Sequence, residues 1–200
     1  MTHYVKKKEK QMLLVPDISH YEPNVQFHDI KASGVPCVIT KATQGTSYTD
    51  PTFLDFLARG RSVGLIMGAY AFLNPGGGAA QADYLLEVGH LTSGDLQPIV
   101  DAEKLGLTKE TTFAALEELT RRGYAPILYA SLSFFGDVLG NPTDYPLWLA
   151  AYRAVLPDLP GSVALFAWQY TDRGHCPGVA TTCDCSHFYG SLDDLKSYCI

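Results

Sequence analysis

Gln97-Pro98-Ile99-Val100-Asp101-Ala102-Glu103 sets the reading of the whole chain. It follows the turn-forming Ser93-Gly94-Asp95 and opens with the apolar, β-branched residues of a short strand. Side chains of a strand alternate between faces, so Ile99, Asp101 and Glu103 share one face and Val100 and Ala102 the other. At ~3.3 Å per residue the two acids stand ~6.6 Å apart along the backbone. Carboxylates at the end of an apolar run cost free energy unless they are paired, hydrated or used. One use is glycosidic bond cleavage, in which a protonated acid serves the leaving oxygen and a charged group serves the oxocarbenium-like centre. The other reading is a strand end where two acids meet water. The stretch alone leaves both open.

Toward the N-terminus, residues 13–17 read as a first strand ending in Asp17, 27–32 as a short helix, and 36–41 as a buried strand ending in Lys41. Residues 44–47 read as loop, and Asp50-Pro51 as the cap and first position of a helix with Phe53, Phe56 and Leu57 on its apolar face. Residues 64–73 form the third strand, with Tyr70 and Phe72 on one face, and 79–91 a helix; the acidic strand is the fourth. Beyond it, Thr108 caps a helix that aligns Phe113, Leu116 and Leu119 and stops at Gly123. Four more strands read over 125–130, 146–152, 163–170 and 179–185, with short helices over 131–139 and 192–198.

Strands alternating with helices imply a parallel sheet, and eight of them an irregular TIM-like α/β barrel with five to six helices. The links 152–163 and 170–179 are short and carry Pro157, Pro160 and Pro177. A parallel crossover takes a dozen or more residues, so the last strands should lack full crossover helices and at least one should run antiparallel. Residues 1–12 read as an N-terminal tail and 13–200 as one domain.

With 200 residues, 46% hydrophobic and 18% charged, the chain can fill one core. A formal net charge of -6 gives no basic field for nucleic acid or an anionic membrane. The basic run Lys6-Lys7-Lys8-Glu9-Lys10 reads as part of a solvated tail. The apolar run after it is too short for a signal peptide, and no run approaches a membrane span. A monomer is expected.

Asp17, Asp101, Glu103 and Asp184 all fall at or near the C-terminal ends of expected strands, the rim that carries chemistry in parallel α/β barrels. Lys41, Tyr70, Tyr129, Tyr152 and Tyr170 fall at strand ends too. An acidic and aromatic rim suits a sugar, although aromatics at strand ends also serve packing. The chain lacks a P-loop, a dinucleotide fingerprint and a Gly-x-Ser-x-Gly elbow. His175, Cys176, Cys183, Cys185 and His187 are the best metal candidates, but Cys-x-Cys is not the common zinc hairpin, so no metal and no cofactor is expected. In an oxidising compartment a disulfide from Cys176 to Cys183 or Cys185 would brace the last loop.

Taken together, the pieces resemble glycoside hydrolase family 25, the Chalaropsis-type lysozymes of bacteria, fungi and phage lysins. The resemblance rests on Val15-Pro16-Asp17-Ile18-Ser19, Val38-Ile39-Thr40-Lys41-Ala42-Thr43, Gly68-Ala69-Tyr70-Ala71-Phe72 with Gln81-Ala82, and Ile99-Val100-Asp101-Ala102-Glu103. It continues through Leu147-Trp148-Leu149-Ala150-Ala151-Tyr152, Trp168-Gln169-Tyr170, and Asp184 before Phe188. It implies about five βα units, then strands without full helices, and metal-free cleavage of the β-1,4 bond from N-acetylmuramic acid to N-acetylglucosamine in bacterial peptidoglycan. By analogy Glu103 is the general acid, Asp17, Asp101 and Asp184 support it, and Asp101 is a nucleophile or orients the substrate's N-acetyl group. Tyr70, Phe72, Tyr129, Trp148, Tyr152, Gln169, Tyr170 and Lys41 are the expected substrate contacts. Crowded like charges should leave Glu103 holding its proton and favour retention of anomeric configuration.

The chain departs from the family's usual pattern at Gln44, Ala71 and Ser186, where Glu, His and Asn are common. A phage lysin released from its host and a stand-alone lysozyme both fit. The competing readings are a non-catalytic glycan-binding protein on the same barrel and a metal-dependent amidase, for which no His/Asp ligand set is present.

Overall fold

The computed structural model describes residues 12–142 and 144–200. Apart from Met12, the expected tail with its basic run lies outside the described residues. The chain runs β1 (Met12–Ile18), α1 (Phe27–Ala32), β2 (Cys37–Gln44), β3 (Tyr48–Thr49), α2 (Phe53–Ser62), β4 (Ile66–Phe72), α3 (Gly78–Gly89) and β5 (Ile99–Asp101). It continues with α4 (Lys109–Arg121), β6 (Ile127–Ser131), a π-helix (Phe134–Val138), β7 (Leu147–Ala150), β8 (Leu165–Gly174), β9 (Cys183–Tyr189) and α5 (Leu192–Lys196). The sheet order is β1-β9-β8-β7-β6-β5-β4-β2-β3, and an added β1–β2 pairing closes eight of these strands into a barrel.

The strands are buried on both faces, which is why they read as near-continuous apolar runs. Val15, Ile39, Ile99, Ile127, Trp148, Phe166 and Phe188 fill the barrel interior. The alternate residues pack outward: Val38, Ala69 and Phe56 form one layer under the helices, and Val100, Leu128, Leu149 and Leu116 another. Helix α4 begins where expected: Thr108 accepts a hydrogen bond from Thr111 N, a cap worth about 1 kcal/mol. Gly123, at φ +92, ends the turn that follows it.

Several boundaries differ from the sequence reading by a few residues, three of them for a clear local reason. Strand β2 runs through Gln44, and β3 returns along it as a short hairpin that the loop-like composition concealed. Helix α2 starts at Phe53 rather than Pro51, because the Asp50 carboxylate turns back to Thr52 N and Oγ1 and to His20. The last strand begins at Cys183, not Val179: Gly178, at φ +88, presses so close to α1 that a Cβ would lie 2.4 Å from Gln26 O, and residues 179–182 turn before pairing begins.

The late departure from parallel order falls where the short links required it. β9 lies antiparallel between β8 and β1, with Asp184 directly opposite Asp17. Asp184 therefore stands at the start of its strand rather than the end. Because that strand runs the other way, its start reaches the same rim. The five cysteines are free thiols, so neither disulfide to Cys176 is formed; Cys183 and Cys185 sulfurs lie 4.0 Å apart. No helix among the described residues is long and apolar enough to cross a membrane.

Candidate active site

A cleft of about 240 Å³ opens at the rim where β1, β2, β4, β5 and β6 end and β9 begins. Asp17, Asp101, Glu103 and Asp184 all line it, with Lys41, Tyr70, Phe72, Tyr129 and Trp148. Strand alternation delivers most of these. Val15 and Asp17 point inward from β1, Ile99 and Asp101 from β5, Ile127 and Tyr129 from β6. Glu103 lies two residues past the end of β5 rather than within it, so its side chain reaches water while Asp101 is 6% exposed.

Gln169 organises the floor. Its Nε2 donates to Asp17 Oδ2 at 3.1 Å and to Asp184 Oδ2 at 3.3 Å. Its Oε1 accepts from Tyr129 at 2.9 Å and from Tyr152 at 3.2 Å. The Tyr129 hydroxyl also lies 3.3 Å from Glu103 Oε2. That hydroxyl has one proton; with Gln169 taking it, the oxygen is free to accept a hydrogen bond from a protonated Glu103. Trp148 Nε1 donates to Ser186 Oγ at 2.8 Å beneath this layer, and its ring meets Tyr129 edge-on.

Burial raises all four acids. For Asp17 it acts with the facing Asp184, against the Gln169 hydrogen bond. For Asp101, burial is joined by Glu103 and Asp17, and Lys41 opposes. Asp184 is pushed to about 6 by burial and then by Glu22. Glu103 is raised by burial; Tyr129, when its hydroxyl turns from Gln169 to donate to the carboxylate, and Lys41 pull it back. The rise is stronger on Asp101 and Asp17 than on Glu103, the group singled out from the sequence, because they are the more buried. Asp101 Oδ1 is also buried without a hydrogen-bond partner among the described residues.

These shifts fix a sign for stability. A carboxyl raised in the fold keeps its proton where the unfolded chain, near the ordinary value of about 4, has already lost it. Stability should therefore fall as pH climbs from about 4, with the Asp184 share spent by about 6 and the Asp17 and Asp101 shares continuing above. Thermal melts across that window check it; a melting temperature rising steadily over the same range would contradict it.

Some expected contacts lie elsewhere. Tyr170 faces outward: it alternates with the inward Gln169 and shares the face of Trp168, and it stacks on His187 at 4.1 Å. Gln169 and Tyr152 act behind and beside the cleft rather than lining it. The sequence reading missed Ser19, Tyr21 and Glu22, which line the cleft from the loop after β1. Their acid and aromatic types were visible, but a loop has no periodicity to aim them. Of the departures, Gln44 accepts from Lys41 Nζ at 2.8 Å, Ala71 points into the outer core, and Ser186 holds Trp148. Among the described residues no group of three or more His, Cys, Asp or Glu is placed to hold a metal.

Comparison with known proteins gives the same grouping. The family described as glycosyl hydrolases family 25 matches residues 16–179. The chain belongs to that family. It is 34% identical over 206 residues to the N,O-diacetylmuramidase of Chalaropsis sp., covering 90% of this chain and 95% of that one. It is 30% identical over 178 residues to the autolytic lysozyme of Clostridium acetobutylicum, covering 86% of this chain but 54% of that one, about half its length. The bacterial lysozyme of Streptomyces coelicolor superposes with a TM-score of 0.85 at 25% identity, covering 94% of this chain and 96% of that one. The short late crossovers and the antiparallel β9 belong to a fold that superposes on that lysozyme over 94% of this chain.

Proposed function

We propose that this chain is a muramidase, hydrolysing the β-1,4 bond between N-acetylmuramic acid and N-acetylglucosamine of bacterial peptidoglycan. The observation that carries this is the contrast between two neighbouring carboxyls. Glu103 is open to the cleft beside the Tyr129 hydroxyl, and Asp101 is buried with an unsatisfied oxygen. Glu103 gives its proton to the glycosidic oxygen as the bond to the anomeric carbon breaks. Asp101 bonds to the anomeric carbon as the nucleophile while the leaving oxygen departs, or orients the substrate's N-acetyl group as the internal nucleophile. Glu103, now a carboxylate, then takes a proton from the water that completes hydrolysis. Asp17 and Asp184, fixed through Gln169, hold the negative field at the floor. Tyr70, Phe72 and Lys41 give the sugar an aromatic wall with one cation.

The test is mass analysis of the reducing ends after digestion of peptidoglycan. Muramic acid ends support the reading; glucosamine ends, or no new ends, refute it. Either role of Asp101 retains the anomeric configuration, so proton NMR should show the β-anomer of the product first. An initial α-anomer would remove both roles. The enzyme would work as a monomer at the bacterial wall, and the same chemistry would serve a phage-encoded lysin or a stand-alone lysozyme.

A further inference from the structure

Beside the cleft, and sharing Glu103 with it, lies a second groove of about 330 Å³. We propose that it binds the stem peptide attached to the glycan, an inference that rests on the peptidoglycan reading above. One wall is the loop after β5, with Lys104, Leu105 and Leu107; the other is the π-helix, with Phe134, Asp137 and Val138. Leu105 is 96% exposed and Val138 38%. Leu105, Leu107, Phe134 and Val138 lie together along the groove, a contiguous apolar lining rather than one stray side chain.

The loop is ordered. Leu107 N donates to Lys104 O at 3.1 Å, Lys104 Nζ donates to Asn74 Oδ1 at 2.6 Å, and Thr108 caps α4 directly after. The opposite wall is a π-helix, a rare turn that concentrates at functional sites. Asp137 is exposed and has no hydrogen bond or ion pair among the described residues. The partner of Lys104 is a neutral amide. The groove thus presents one anion and one cation with aliphatic surface between them.

A stem peptide carries the complementary set: alanine methyls, a glutamate carboxylate for Lys104 and a diamino-acid ammonium for Asp137. A glycan strand offers uncharged hydroxyls and prefers aromatic faces, which gather on the other side of the cleft at Tyr21, Tyr48 and Phe72. The stem hangs from the lactyl ether of muramic acid, the sugar whose bond Glu103 protonates. The peptide therefore starts beside the one residue that both cavities share.

Two measurements test this. The first is an NMR titration of the intact protein with the free tripeptide L-alanyl-D-isoglutamyl-L-lysine, which needs no catalysis. Amide shifts confined to residues 104–107 and 133–138, and lost in Asp137→Asn, support the site; absence of shifts there at millimolar peptide overturns it. The second compares hydrolysis of glycan strands with and without stem peptides. Asp137→Asn and Leu105→Ala should each raise KM on stem-bearing strands about threefold to fivefold, the range of one exposed contact, with kcat unchanged. On peptide-free strands both variants should match the parent. Equal losses on both strands would assign the groove to sugar instead. If neither strand is cleaved, the muramidase reading fails, and the titration still decides the groove.

Discussion

Glu103→Gln should slow lysis of a cell-wall suspension by about 10²–10⁴-fold, the usual worth of general acid catalysis, and leave the melting temperature nearly unchanged. The side chain is open to the cleft, packs into no core and makes one hydrogen-bonding contact, to Tyr129. The amide keeps its length and can donate to the same hydroxyl, so the floor built on Gln169 survives. What disappears is a transferable proton beside the leaving oxygen. Turbidity kinetics with a parallel thermal melt separate loss of chemistry from loss of fold. Parent-like kinetics would take Glu103 out of the mechanism.

Asp101→Asn should combine loss of activity with a gain in stability. The side chain is buried among Glu103 and Asp17, and one oxygen has no partner. At neutral pH the fold either holds a proton on this group against bulk solution or carries an ill-solvated charge; both cost free energy that a neutral amide of the same shape avoids. The expected gain is ~1–2 kcal/mol, typical of relieving a destabilised active-site residue, and it should shrink below about pH 4, where the unfolded carboxyl is protonated too. Activity should fall by about 10²-fold or more, since an amide supplies no negative charge to the developing cation. Denaturant melts at pH 4 and 7 with turbidity assays test both halves. A variant less stable than the parent at pH 7 would mean that the carboxylate is satisfied in the fold.

The barrel and its acids were legible because each rests on a local pattern. Asp17 and Asp101 follow alternating apolar residues that aim them inward, and the short proline-bearing links foretold an antiparallel strand. What escaped depends on where one segment meets another. Asp184 was placed on the correct rim from a strand drawn four residues early, because nothing local shows that Gly178 must press against α1. Tyr170 was counted with the rim aromatics because it falls at a strand's end, although alternation with the inward Gln169 sends it outward. Tyr21 and Glu22 sit in a loop, and the unsatisfied oxygen of Asp101 appears only once its neighbours are in place.

The placement of β9 between the first strand and β8 also sets the order in which the acidic cleft is completed. Until Cys183 and the residues after it have been synthesised, β1 and β8 have no β9 to join them, Asp17 has no facing acid, and the Gln169 amide lacks one of its two carboxylate partners. The nascent chain can stack its parallel units from the N-terminus onward, but the carboxyl floor assembles from both ends of the chain at once. A ribosome-bound chain halted before Cys183 should thus be inert and readily proteolysed along its open edges, so that competence to cut arrives as one late event rather than growing with chain length.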